Sequence, residues 1–280
     1  MGPELLGAEK FGSFVDECGG NQAQAAKLAV FNFRLAGAYL PALAAMELAL
    51  RNRIASELAE EFGPDWPQRL AAGDVVSSLR SRRKLNLLDE HVSMFREARD
   101  HLLRKDRPAE APDIIGATSM GIWVGLTGQG APHRAKYYES QLWTPVIRKA
   151  FPGLDAAYGG QVRGGGYTLR ESLHHDLNRL LDFRNRVAHH ERITHLDHEV
   201  IVERLARVMT ALVEIIPVCL DDLIPIPDDW FKKGGPTSCR AVPGVDEPVA
   251  SGLSRRHRGR AGAAHRSGPG AGGGRTDRGT

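Results

Sequence analysis

Apolar residues recur at helical spacing along most of the chain up to Pro217, and no segment alternates with the period of two that a half-buried strand needs. The pattern predicts an all-α fold. Ala, Leu and Met dominate from Asn21 to about Gly63, with Pro41 expected in the first turn of a second helix. Gly63-Pro64-Asp65-Trp66-Pro67 reads as a turn. Residues 75–104 read as a further helical region, broken by Arg107 to Pro112. Ile114 to Leu126 reads as one buried helix carrying Trp123, and residues 136–150 as an amphipathic segment with Trp143 and Ile147 on one face. Tyr158-Gly159-Gly160 and Gly164-Gly165-Gly166 predict a loop. Thr168 and Glu171 have the spacing of a capping box at the start of a helix. Thr194, Asp197 and Glu199 open a last helix that Pro217 ends. Trp66, Trp123 and Trp143 are expected in the core.

These signals divide the chain into a weakly ordered lead-in (1–20), a helical domain (21–233) and a Gly/Arg-rich tail (234–280) whose composition predicts disorder. The formal charge is +3. Residues 241–280 hold seven arginines against three acids, so the preceding residues net to −1 and any RNA site among them is a local patch. Three cysteines, Cys18, Cys219 and Cys239, lack metal spacing and fit a reducing, cytoplasmic setting. Met1 to Lys10 carries two glutamates and no apolar core of a signal peptide. The apolar run from Leu35 to Met46 is about twelve residues, short of the ~20 a bilayer requires, so no membrane span is expected.

The candidate chemistry lies in Phe183 to Ile193. Arg184, Asn185 and His189 place a fixed cation, a neutral amide and a base titrating near neutrality within about one and a half helical turns. Those groups suffice to break a phosphodiester without a metal or other cofactor. On a helix, Leu173, Leu177, Leu180, Leu181, Phe183, Val187 and Ala188 share a face, and Arg184 falls near its middle. His175, Arg179, Arg186 and His190 lie opposite. Arg184 and His189 are about 140° apart on an ideal helix, so they converge only if the arginine reaches round, the helix ends between them, or two subunits share one cleft. Glu47 lies inside the stripe of Leu43, Met46, Leu50, Ile54 and Leu58, and is expected to meet Arg184 or Arg51 in a buried polar cluster. Leu50-Arg51-Asn52-Arg53-Ile54-Ala55-Ser56 also echoes Phe183 to His189, with Ser56 in place of the histidine.

Arg80, Arg82, Arg83 and Lys84 form a weak RNA-facing patch, with a solvated helix face as the plainer reading. His174, His175, His195 and His198 crowd the motif without a standard ligand pattern, so no metal is assigned. The glycine-rich segment is read as a linker rather than a phosphate cradle.

The Arg-Asn-x-x-x-His signature in Phe183 to Ile193 resembles the HEPN superfamily. The wider pattern resembles the Abi-like (abortive infection) family: Met46-Glu47-Leu48-Ala49-Leu50-Arg51-Asn52, the Trp123 segment, Leu142-Trp143-Thr144-Pro145 with Ala150-Phe151-Pro152, and Arg184 through Glu191. The likeness spans about residues 25 to 217. It implies a HEPN-like helical bundle that dimerises through the motif helix, and a metal-independent endoribonuclease, often a toxin of antiviral defence. Arg184, Asn185 and His189 would be catalytic, and Glu47, Arg51, Asn52 and His190 supporting. RNA is the implied partner, with a neutralising protein unspecified. Some members carry a tyrosine two positions after the histidine that a partner modifies; here that position is Glu191. The alternatives left open are a non-catalytic scaffold that binds a nucleotide or a partner protein, and a helical protein in which the Arg184–Glu47 cluster only fixes packing.

Overall fold

A computed structural model describes residues 2–131, 137–165 and 168–213. Among them there is no β-strand, only two isolated bridges, so the all-α class holds. The tail from 234, Pro217, Cys219 and Cys239 lie outside the described residues. Cys18 is half of a disulfide, so the expectation of fully reduced cysteines is not met there.

The lead-in is structured: α1 (Pro3–Leu6) and α2 (Ala8–Glu17) precede the main helix. Phe11, Phe14 and Cys18 bury themselves against Ala25, Leu28 and Ala29 in a small core of their own. The main helix, α3 (Gln22–Phe62), starts where the Asn21 side chain accepts the Gln24 N–H and stops at Gly63, which has φ +95°. It runs unbroken through Pro41, against expectation. Leu35, Tyr39, Leu43 and Met46 flank the proline and are all buried in one core. That packing carries the helix across the missing N–H. By length and composition α3 also passes the test for a membrane span, which the shorter apolar run had not suggested. Its buried face makes it the central strut of the bundle, touching α2 and the helices below.

After α4 (Trp66–Ala72), residues 73–88 are not helical as expected but form a loop closed by the Ser77–Lys84 bridge. The buried carboxylate of Glu61 accepts Ser78 Oγ at 2.7 Å, Ser81 Oγ at 3.2 Å and Arg83 Nη1 at 2.9 Å. Burial raises the Glu61 pKa, but those hydrogen bonds and the Arg83 charge outweigh it and hold it below the ordinary value. Helix α5 (Asp89–Arg104) then packs Phe95 edge-on against Trp66 and Trp123.

The expected single helix of 114–126 is two, α6 (Ala111–Ala117) and α7 (Met120–Leu126). Thr118 is extended between them, and its hydroxyl donates to the Ile115 carbonyl while accepting Trp123 Nε1. A π-turn at Glu139–Trp143 and a 3₁₀ turn at Ile147–Ala150 replace the expected amphipathic helix. Helix α8 (Leu154–Gly165) includes Gly159 and Gly160, expected as loop. Tyr158 and Leu154 are fully buried, and the helix packs on α9 and α10, which compensates for the weak helix propensity of glycine. Helix α9 (Leu169–Ala188) opens on the predicted capping box, with Thr168 accepting the Glu171 N–H and Glu171 accepting the Thr168 N–H. Helix α10 (His198–Leu212) is capped by Asp197 rather than Thr194. The three tryptophans are in the core.

Candidate functional site

The site residues lie where α9 crosses α3. The buried residues of α9 include Leu173, Leu177, Leu180, Phe183 and Val187. Their arc centres about 40° from Arg184, so the arginine sits at the edge of the apolar face rather than in its middle. Its side chain is 38% exposed, and Nη2 lies 3.3 Å from Glu47 Oε2. The other oxygen of Glu47 accepts Arg51 Nη2 at 2.8 Å. The expected cluster therefore forms with both arginines, which are the equivalent positions of the sequence echo.

The echo extends to burial. Leu50 and Phe183 are buried, as are Ile54 and Val187, while Ser56 and His189 are exposed. Arg51 is the more committed arginine. It also reaches the carbonyls of Gly116 at 3.4 Å and Thr118 at 3.3 Å, groups that the break between α6 and α7 leaves without helical partners. Asn52 is exposed, with no side-chain hydrogen bond among the described residues.

Asn185 is half-buried and His189 exposed. His189 is the residue that caps α9, and its backbone is held by an N–H bond to Asn185 O at 2.8 Å and by Lys10 Nζ on its carbonyl at 3.0 Å. No hydrogen bond or ion pair joins the His189 side chain to Arg184 in one chain: the guanidinium pairs with Glu47, and His189 is exposed. His190 takes φ +57°, and its ring centroid is 5.8 Å from that of Phe33.

The turn after the motif is clamped by residues that sequence reasoning passed over. Asn32, 1% exposed, donates to the Glu191 carbonyl at 3.1 Å and accepts the Ile193 N–H at 2.8 Å. His198 Nε2 donates to the Ile193 carbonyl at 2.9 Å, which leaves Nδ1 to accept Tyr39 OH at 2.9 Å. Arg192 pairs with Glu17 and donates to the Ser13 carbonyl, so α2 also holds the turn. The available signal was an asparagine on the buried stripe of α3. Asp176 gave the same signal on α9: it is buried and meets Tyr158, Arg204 and Arg207.

The other candidates separate. Arg80, Arg82 and Lys84 are exposed at the tip of the 73–88 loop, whereas Arg83 is turned inward to Glu61 at 2.9 Å and is not free for RNA. Of the crowding histidines, His174 bonds to Thr127 and Asn178, and His198 is engaged as above. Along α3 beside Glu47, the exposed positions Gly37, Leu40, Pro41, Ala44 and Leu48 carry no charge, and Leu40 and Leu48 are each 53% exposed.

No protein-family model, no curated protein and no solved structure matches the chain.

Proposed function

We propose that this chain is a metal-independent endoribonuclease of the HEPN, Abi-like type, acting in abortive infection. The observation that carries the reading is the arrangement at the end of α9. At that end a half-exposed guanidinium meets Glu47 beside an uncharged stripe of α3, and a half-buried amide and an exposed imidazole follow it in the chain. RNA supplies its own nucleophile, the 2′-OH. His189 takes the proton of that hydroxyl or gives one to the leaving 5′ oxygen, each role being worth about 10²–10⁴-fold. Arg184 holds the scissile phosphate and stabilises the charge that grows on it. Asn185 orients the imidazole or donates to a phosphate oxygen. The exposed Arg80, Arg82 and Lys84 add weak, salt-sensitive contacts to RNA.

In this reading a homodimer through the motif helix and the α3 stripe sets Arg184 of one copy opposite His189 of the other. Wild type is expected to cleave RNA in EDTA and leave 2′,3′-cyclic phosphate ends, and Arg184→Ala and His189→Ala to abolish cleavage. Mixing the two inactive variants is expected to restore part of the activity, since each mixed dimer keeps one complete site. Loss of wild-type cleavage in EDTA, or no recovery on mixing when exchange is verified, would count against it.

The Glu47 ion pair favours a second reading, a non-catalytic scaffold in which Arg184 only braces α9 on α3. Under that reading Arg184→Ala lowers stability and wild type cleaves no RNA.

A further inference from the structure

The two oxygens of Glu47 face unequal partners. Oε1 holds Arg51 in a 2.8 Å hydrogen bond between residues one turn apart, and Arg51 is further fixed by two backbone carbonyls at 12% side-chain exposure. Oε2 meets Arg184 at 3.3 Å, and this ion pair is the sole partner of the Arg184 guanidinium among the described residues. Arg184 is also the more exposed, at 38%.

We propose that Glu47 occupies the anion site of Arg184 from within, and that an RNA phosphate must displace it. The inference rests on the ribonuclease reading and adds how its phosphate site is controlled. When Arg184 swings out to a phosphodiester, Glu47 keeps Arg51 as its partner, so no half-buried charge is stranded; that penalty is what ordinarily fixes a buried pair. Two guanidiniums and one carboxylate leave the cluster with one positive charge, which the single negative charge of a phosphodiester neutralises. Arg184 is thus the releasable arm of the cluster and Arg51 the permanent one. Glu47 acts through Arg184 as a positioning residue and touches no reacting atom.

The test is binding of a 2′-O-methyl oligoribonucleotide, which cannot be cleaved, by fluorescence anisotropy at one fixed salt concentration. Glu47→Gln removes the competitor. Glu47→Asp shortens it while leaving Arg51 a counter-charge, and so covers the case in which the glutamine variant does not fold. Either variant is expected to bind tighter than wild type by up to about fivefold, the ceiling set by a partly exposed ion pair. Arg184→Ala is expected to bind more weakly, and adding Glu47→Gln to it to change nothing further. A folded Glu47 variant that binds as wild type does, or more weakly, overturns the proposal, as does a wild type and variants that bind no oligonucleotide. Failure of wild type to cleave ordinary RNA is a separate result: it removes the nuclease reading and leaves this binding cycle intact.

Discussion

His190 is one of two non-glycine residues, with Asp106, that take a positive φ among the described residues. The end of α9 closes as a Schellman turn, with Glu191 N–H on the Arg186 carbonyl at 2.9 Å and His190 N–H on the Val187 carbonyl at 3.2 Å. The left-handed position of that turn usually holds glycine; here it holds a histidine at φ +57°. For a residue with a Cβ this conformation costs about 1–2 kcal/mol. His190→Gly is therefore expected to raise unfolding stability by about 1 kcal/mol in a urea titration, less what its ring contact with Phe33 contributes. A variant less stable than wild type would show that the ring contact outweighs the backbone strain. Residue-scale legibility in the sequence was uneven. Glu47 was found because a carboxylate on an apolar stripe demands a partner, and its partners are the arginines expected. Asn32 and Asp176 sat on equally apolar stripes and were missed, because an asparagine or aspartate on a buried face does not say which backbone or side chain it will meet.

At the scale of elements, packing overrode local propensity several times. Pro41 did not divide α3, and Gly159 and Gly160 did not break α8. Gly153, in the turn before α8, explains how that helix docks. Its N–H donates to the Ala211 carbonyl, and a Cβ built there would lie 2.0 Å from the Thr210 carbonyl oxygen. Since that neighbour is backbone on α10, it cannot move aside without shifting a helix. Gly153→Ala is expected to destabilise the fold by about 3 kcal/mol, read as a lowered denaturation midpoint. A midpoint within error of wild type would mean that the α8–α10 contact is slacker than the structure has it. The opposite error occurred at Thr118, where a helix read as continuous is cut. The carbonyls freed there hold Arg51, so the break has a function in the polar cluster that apolar periodicity alone cannot reveal.

At the scale of the whole molecule, histidines in different regions of the bundle are buried, as His91 and His198 are, or half-buried, as His174 is. Burial holds the imidazoles of His91, His174 and His198 below the ordinary histidine value, with the Arg170 charge adding to the effect at His174. The unfolded chain takes up these protons near pH ~6.5 and the native chain only at lower pH, so stability falls as pH drops below ~6.5. Glu61 and Glu171 are shifted below the ordinary carboxylate value; their contribution persists above that value and is lost at still lower pH. The thermal midpoint is expected to decline in two stages on acidification, the first over the interval just below pH ~6.5. A midpoint that stays flat across that first interval would rule out the histidine contribution.

Spacing along the chain determined what depends on neighbours three or four residues apart: the all-α class, the capping box at Thr168, the stripes of α3 and α9, and the pairing of Glu47 with Arg51 one turn away. Tertiary structure decided what depends on distant partners. Core contacts on both sides of Pro41 kept α3 whole, and α10 carried the glycines of α8. Glu61 drew Arg83 of the basic run into a loop, and the fold set Arg184 of α9 against Glu47 of α3. These outcomes are set by the free energy of burying surface against other helices, and a linear pattern records that a face is apolar without recording what will cover it.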